Sequence, residues 1–156
     1  MRILYVGFKG KHNTSFQLVS ALGEECLFLT NSFAGVERDI DAIKSAYDAV
    51  IMFGLDKNLV GSVRIEKMAE LQDDRLSTTC AIDQIAEAFN RNGIICEISE
   101  RPTHYLCNDA YFRMLQKTNG NAIFIHIPGS RHMSAELMES ITRSLGGSSC
   151  PSFQSR

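Results

Sequence analysis

The stretch from Thr103 to Gly129 decides the fold, beginning Thr-His-Tyr-Leu-Cys-Asn-Asp and ending Ile-Phe-Ile-His-Ile-Pro-Gly. Apolar residues at helical spacing predict a helix over about 104–118, with Cys107 in its opening turn. A continuous apolar run then predicts a buried strand over 122–127 that carries His126 near its end. Because sites in open α/β sheets lie beyond the carboxyl ends of the strands, we expect this thiol and this imidazole to meet at one edge of a sheet.

Strand and helix patterns alternate along the rest of the chain. Apolar runs predict strands over 2–7, 26–30, 49–53 and 94–98, and helical spacing predicts helices over about 15–22, 37–46, 82–92 and 135–145. The pattern is weaker between 55 and 79, with an extended piece over 62–68 and a polar connection over 72–75. This alternation predicts a single α/β domain over 1–145, a three-layer α/β/α sandwich around a mostly parallel sheet, and then a mobile tail over 146–156.

Composition narrows the classes of function. The chain has 156 residues, of which 44% are hydrophobic and 22% charged, with a formal net charge of -2 and no long basic run, so we expect no nucleic-acid partner. No apolar run approaches the roughly 18 residues of a membrane span, and no export signal is recognisable at the start. We therefore expect a cytoplasmic protein without membrane association, whose five scattered cysteines are reduced: Cys26, Cys80, Cys96, Cys107 and Cys150.

Cys107 and His126 together are typical of a thiol nucleophile with its base. A cysteine at a helix N-terminus gains thiolate character from the helix dipole and nearby cations. Alone, Cys107 is more typical of a core cysteine, and a strand histidine such as His126 is usually structural. The pair, placed at the same edge of one sheet, is what nucleophilic catalysis by a thiol requires. The residues thus favour a cysteine hydrolase.

A third group must orient the imidazole, and two carboxylates compete for this role. Asp56 follows the third predicted strand, which places it at the carboxyl edge of the sheet. Glu66 lies in the extended piece, where pairing with Arg64 or Lys67 on a solvated face is the simpler interpretation. Spacing alone therefore favours Asp56.

A metal site is the alternative use of these side chains. His104 and Cys107 have the spacing of half a site, to which His126 and Cys96 could add the other half. The paired Cys-x-x-Cys spacing of structural zinc is absent from the sequence, and so are Gly-x-Gly-x-x-Gly and the Walker A pattern. We therefore expect neither a metal nor a nucleotide cofactor.

The segment Tyr105–Phe112, with its Leu-Cys-Asn, followed by Ile-Phe-Ile-His-Ile-Pro over 123–128, resembles pyroglutamyl peptidase I (pyrrolidone carboxyl peptidase). In that family the nucleophilic cysteine stands in Val-Cys-Asn and the histidine in Phe-Ile-His-Ile-Pro or a close variant. Ile65–Ala69 is similar to the family's Glu-Arg-Val-Ala segment, which carries the catalytic glutamate. The resemblance thus implies a triad of Cys107, His126 and Glu66, with Glu66 in place of Asp56.

The resemblance also implies a substrate and a pocket. It implies removal of an N-terminal pyroglutamyl or similar small acyl group from a peptide or amide, without a cofactor, by a chain that self-associates. Phe8 and Tyr105 would hold the acyl ring, with Asn13 beside them, since the start of the chain looks like the family's opening Gly-Phe and Asn-Pro-Ser.

Departures from the family's motifs concern the pocket. The family's Gly-Phe-x-Pro-Phe-Gly-Gly is cut to Gly7-Phe8-Lys9-Gly10, its Gly-Gly-Arg run is replaced over 58–60, and the chain is shorter than usual members. The alternatives are a thiol amidase for another acyl group and a catalytically inactive binding module.

Overall fold

The structure, a computed structural model, describes residues 1–23 and 25–146. This part of the chain contains eight strands and five helices. The strands are β1 (Ile3–Phe8), β2 (Cys26–Leu29), β3 (Ala49–Asp56), β4 (Ser62–Glu66), β5 (Met68–Leu71), β6 (Asp74–Ser77), β7 (Ile95–Ser99) and β8 (Ala122–Pro128). The helices are α1 (Thr14–Leu22), α2 (Phe33–Asp41), α3 (Ile82–Arg91), α4 (Tyr105–Lys117) and α5 (Ala135–Gly146).

Six strands form one twisted sheet in the order β2-β1-β3-β8-β4-β7, and β5 pairs with β6 in a separate hairpin. All neighbours in the large sheet are parallel except β4 and β8, which are antiparallel. The central strands β3 and β8 are continuous apolar runs, which is typical of strands covered on both faces. The predicted α/β sandwich with a mostly parallel sheet is confirmed.

Side chains of the central strands alternate between two cores. Val50, Met52 and Phe124 pack with α2 and α4 on one face, whereas Ile51 and Ile125 pack with α1, α3 and α5 on the other. Since the alternation has a period of two, the later residues Gly54, Asp56 and His126 fall on the face covered by α4. We call this face the α4 face.

Three predicted boundaries differ from the structure. The second helix begins at Phe33 and not near 37, because the Ser32 hydroxyl accepts the Gly35 N–H at 3.0 Å and caps an earlier start. Strand β3 continues through Gly54 to Asp56. The predicted polar connection over 72–75 contains the turn of the β5–β6 hairpin, where Gln72 has a φ of 56°, and then the first two residues of β6.

The last prediction about domains concerns the tail. Helix α5 includes Gly146, and the remainder of the predicted mobile segment, 147–156, lies outside the described residues. None of the helices in the described part is both long and apolar enough to cross a membrane.

Candidate active site

Helix α4 brings Cys107 down onto the α4 face of the sheet. Cys107 is the third residue of the helix, and its sulfur lies where a side chain on Gly54 would otherwise stand, 2.9 Å from an ideal Cβ at that position. Gly54 of β3 is in register with His126 of β8, and adjacent strands lie about 4.8 Å apart. The thiol therefore lies over the strand position next to the imidazole, as the sequence predicted.

His126 on β8 is held by Glu66 of the neighbouring strand β4, on the side away from β3. The Nδ1 atom of His126 lies 2.8 Å from Oε1 of Glu66, and the two side chains are only 4% and 1% exposed. An ionised carboxylate only accepts hydrogen bonds, so this contact places the proton on Nδ1 and leaves Nε2 as the basic nitrogen. Among the described residues Nε2 has no hydrogen-bond partner, and it keeps some exposure to solvent.

Aromatic side chains form the floor beneath this pair. The ring of Phe124 packs 4.9 Å from the imidazole, and the ring of Tyr111 packs 5.6 Å from Phe124, measured between centroids. The hydroxyl of Tyr111 donates to the backbone oxygen of Glu66 at 2.8 Å. The hydrogen bond from Tyr111 fixes the end of β4 against α4.

Asp56, the carboxylate favoured by spacing, joins the site through an arginine. Arg64 donates from Nε to Glu66 Oε1 at 2.7 Å and from Nη1 to Asp56 Oδ2 at 3.0 Å. Burial alone would raise the pKa of Asp56, but the backbone N–H of Asn58 and the guanidinium of Arg64 lower it overall. Glu66, and not Asp56, contacts the imidazole.

The electrostatics of the thiol contradict the prediction of a preformed thiolate. Burial first, and then the charges of Glu66 and Asp56, together raise the pKa of Cys107 to about 12 against the lowering effect of Arg64. Desolvation and two carboxylates thus outweigh the start of the helix. The resting thiol is neutral, and a base must remove its proton during attack.

The residues expected to bind substrate have different surroundings. Phe8 is 4% exposed within the core of the α4 face, and the Oδ1 atom of Asn13 caps α1 by accepting the Ser15 N–H at 2.9 Å. Tyr105 is the first residue of α4, in the same turn as Cys107; it has a φ of 58° and is 87% exposed. Their contact with a substrate stays a prediction.

Sequence patterns did not indicate a role in the site for Gly54 or Arg64. Gly54 reads as the end of a strand, although its missing side chain makes room for the sulfur. Arg64 reads as a surface partner of Glu66, although alternation along β4 places both on the α4 face. That alternation is the signal by which Arg64 could have been found.

Other polar and concave features lie away from the thiol. Cavities of about 450, 250 and 460 Å³ open between α4 and β6, beside Tyr47, and between α3 and α5, and neither Cys107 nor His126 lines any of these three. Within 1–23 and 25–146, no three His, Cys, Asp or Glu side chains are placed to hold a metal ion. The alternative metal site, with His104 and Cys96, is therefore not assembled.

Comparison with known proteins gives relatives by sequence. Pyrrolidone-carboxylate peptidase 1 of Saccharolobus solfataricus is 33% identical over 81 residues, which are 50% of this chain and 38% of that relative. Pyrrolidone-carboxylate peptidase of Saccharolobus islandicus is 32% identical over 79 residues, 49% of this chain and 38% of the relative. The matched part thus spans well under two thirds of these relatives' length, and no family model matches the chain.

Solved structures extend the likeness to the fold. Pyroglutamyl peptidase I of Bacillus amyloliquefaciens superposes with a TM-score of 0.78 at 18% identity, over 94% of each chain. Pyrrolidone carboxyl peptidase from Thermococcus litoralis superposes with a TM-score of 0.71 at 19% identity, over 93% of this chain and 92% of that chain. This chain is thus similar in sequence to pyrrolidone-carboxylate peptidases over about half of its length, and it has the fold of pyroglutamyl peptidase I over nearly all of it.

Proposed function

We propose that this chain is a cysteine peptidase that removes an N-terminal pyroglutamyl or similar small acyl group from peptides, with Cys107, His126 and Glu66 as its triad. The observation that carries the proposal is the 2.8 Å contact between His126 Nδ1 and Glu66 Oε1, in the sheet beside the Cys107 thiol. The names of the relatives, pyrrolidone-carboxylate peptidases, support the same activity.

The first step is attack by the thiol on the acyl carbonyl. Because the pKa of Cys107 is raised to about 12, Nε2 of His126 takes the proton as the carbon–sulfur bond forms. The carbonyl electrons move to oxygen and give a tetrahedral anion. The imidazolium that results is stabilised by Glu66, which is already placed on Nδ1.

The start of α4 provides donors for that anion. The first backbone N–H groups of a helix have no partner within the helix, and the side chain of His104, the N-cap residue, makes no capping hydrogen bond. The N–H of Cys107 lies in this first turn and is the natural donor to the oxyanion. Such a donor contributes on the order of 3 kcal/mol where one has been removed from an enzyme.

The second half of the reaction returns the proton. As the carbon–nitrogen bond breaks, the imidazolium of His126 protonates the leaving amine and a thioester to Cys107 remains. His126 then takes a proton from water as the hydroxide adds to the thioester carbon. The carbon–sulfur bond breaks as the imidazolium returns that proton to the sulfur, which leaves the free acid and the neutral thiol. This sequence needs no cofactor.

Charge at the site favours an uncharged acyl group. Asp56 and Glu66 together carry two negative charges and Arg64 carries one positive charge, so one negative charge remains near the thiol. A carboxylate on the acyl side chain would be repelled by this charge. The pyroglutamyl lactam is neutral, whereas an open glutamyl group is not.

An amidase assay tests the proposal. The purified chain is given a fluorogenic pyroglutamyl amide, the matching glutamyl amide, and prolyl and alanyl amides, each with and without prior iodoacetamide treatment. We expect turnover of the pyroglutamyl amide, loss of that turnover after alkylation, and little turnover of the glutamyl amide. Absence of turnover with every amide would contradict the proposal and favour the inactive binding module.

A second candidate is a thiol amidase for a different small acyl group. The shortened segment Gly7–Gly10 and the burial of Phe8 within the core favour it, because both alter the expected pocket. Turnover of the prolyl or alanyl amide alone, blocked by iodoacetamide, would identify this candidate.

Gly54→Ala is expected to displace the Cys107 sulfur. An added Cβ would lie 2.7 Å from Cζ of Phe124 and 2.9 Å from the Cys107 sulfur, so one of these groups must move. Overpacking of this kind costs roughly 1–3 kcal/mol. We expect the free energy of unfolding to fall by that amount in a denaturant titration, and kcat to fall by about tenfold or more because a shift of about 1 Å at reacting atoms is costly.

The matched control is Gly146→Ala, at the end of α5, where an added Cβ meets no atom of the described residues within 4 Å. Both quantities should stay at their wild-type values in that variant. If Gly54→Ala also leaves both unchanged, the sulfur does not occupy the position that the structure gives it.

A further inference from the structure

The guanidinium of Arg64 connects carboxylates on two strands that lie on opposite sides of β8. Arg64 is in register with His126, and Asp56 of β3 is in register with Pro128. To donate to Asp56 at 3.0 Å, the side chain of Arg64 crosses β8 on the face that carries the imidazole. It thus lies directly beside the base of the proposed reaction.

Arg64 also determines which oxygen of Glu66 the imidazole contacts. Oε1 accepts from Arg64 Nε at 2.7 Å and is 2.8 Å from His126 Nδ1, whereas Oε2 is buried and has no hydrogen-bond partner within 1–23 and 25–146. A buried carboxylate oxygen without a donor is costly. Two donors on Oε1 therefore hold the carboxylate in a rotation that it would otherwise leave.

The same arginine changes the charge that faces the thiol. The charged groups around Cys107 are Asp56 on β3 and Glu66 and Arg64 on β4, with the titratable His126 on β8. Burial and the two carboxylates raise the pKa of Cys107, and Arg64 is the group that lowers it. Neither Arg64 nor Asp56 belongs to the motifs by which the chain resembles its relatives.

We propose that Arg64, held by Asp56, is a positioning residue of this site, which fixes Glu66 against His126 and offsets one carboxylate charge at the Cys107 thiol. The reaction it serves is the proposed acyl transfer, on which this inference rests. Its electrostatic effect is measurable on the thiol alone, without any substrate.

The experiment compares Arg64→Gln with Asp56→Asn in the full chain. The readout is the rate of Cys107 alkylation by iodoacetamide between pH 6 and 9, followed by peptide mass spectrometry with the exposed Cys26 as an internal reference. Since the thiolate reacts and the pKa of Cys107 is about 12, the rate in this window should rise about tenfold per pH unit.

The two variants should move that rate in opposite directions. Loss of the positive charge in Arg64→Gln raises the pKa of Cys107, so alkylation at a given pH should be slower by on the order of tenfold. Loss of a negative charge in Asp56→Asn lowers that pKa, so alkylation should be faster. A residue with a merely structural role would not produce opposite shifts.

Two further variants complete the test. Arg64→Lys keeps the charge but not the two-pronged contact, so it should keep a near-normal alkylation rate while kcat falls and KM changes little. Arg113→Gln removes a guanidinium that pairs with Asp109 and Glu37 outside the site, and it should change neither quantity. If Arg64→Gln does not fold, Asp56→Asn and Arg64→Lys still decide the question.

Alkylation that changes in the same direction in Arg64→Gln and Asp56→Asn, or in neither, would overturn the inference. Failure of the proposed function is a separate result, because it shows as wild-type chain that turns over no amide while the alkylation rates still shift. The inference and the function therefore fail in distinguishable ways.

Discussion

Replacing Cys107 with serine is expected to lower kcat/KM for a fluorogenic pyroglutamyl amide by roughly 10⁴-fold or more, since removal of a nucleophile leaves only the oxyanion donors and binding. A serine hydroxyl is smaller than the thiol and fits the space over Gly54, so the fold should be retained. Its proton is far harder to remove than that of a thiol. Steady-state kinetics together with thermal unfolding of both proteins measure the effect.

Cys96→Ser is the matched control for this substitution. Burial raises the pKa of Cys96 to about 11, with a further contribution from Glu97, so it is another protonated, partly buried thiol. It lies on β7 at the edge of the sheet, away from His126, and its loss should leave kcat/KM unchanged. If Cys107→Ser keeps more than a tenth of wild-type activity, the nucleophile is a different residue.

The sequence predicted the positions of Cys107 and His126 for a simple physical reason. A continuous apolar run such as Ala122–Pro128 becomes a central strand of a parallel sheet, and its carboxyl end then lies at the edge where helix N-termini also meet. Helix α4 packs against the sheet through its buried residues Ala110, Tyr111 and Met114. This packing determines which way Cys107 faces. Local periodicity was sufficient for both residues.

Local periodicity could not predict the position of Glu66, because the sequence pattern of β4 does not indicate whether the strand runs parallel or antiparallel to its neighbour. In a fully parallel sheet a residue at the end of β4 lies at the solvated carboxyl edge. Since β4 is antiparallel to β8, Glu66 is in register with Phe124, one row deeper than His126. This reversal buries Glu66 against His126, and it was the resemblance of Ile65–Ala69 to the peptidase family's segment, not spacing, that indicated Glu66.

The charge at the thiol was also beyond local reasoning. The position of Cys107 in the helix predicted thiolate character. Its pKa is instead dominated by burial and by the charges of the carboxylates Glu66 and Asp56. These carboxylates come from β3 and β4, and only the assembled sheet brings them to α4. A pKa is a property of the packed neighbourhood, whereas a helix start is a property of the segment.

Glu66→Gln should separate two effects that usually change together. We expect kcat to fall by on the order of 10³-fold, because the amide cannot stabilise the imidazolium of His126 as the carboxylate does. We expect the alkylation rate of Cys107 to rise at the same time, because removal of one negative charge lowers the pKa of the thiol. Steady-state kinetics and timed alkylation of the same preparation measure both.

Glu70→Gln on β5 is the control for Glu66→Gln, since Glu70 pairs with Arg75 at the surface and should affect neither quantity. The opposite signs matter because they distinguish two mechanisms. A site that rests as a thiolate–imidazolium pair would lose alkylation and turnover together when Glu66 is neutralised, since the carboxylate would then be supporting the pair. A neutral thiol that His126 deprotonates during attack becomes more reactive toward iodoacetamide in Glu66→Gln, while turnover falls. This is the outcome we expect, because Cys107 is buried and lies near two carboxylates.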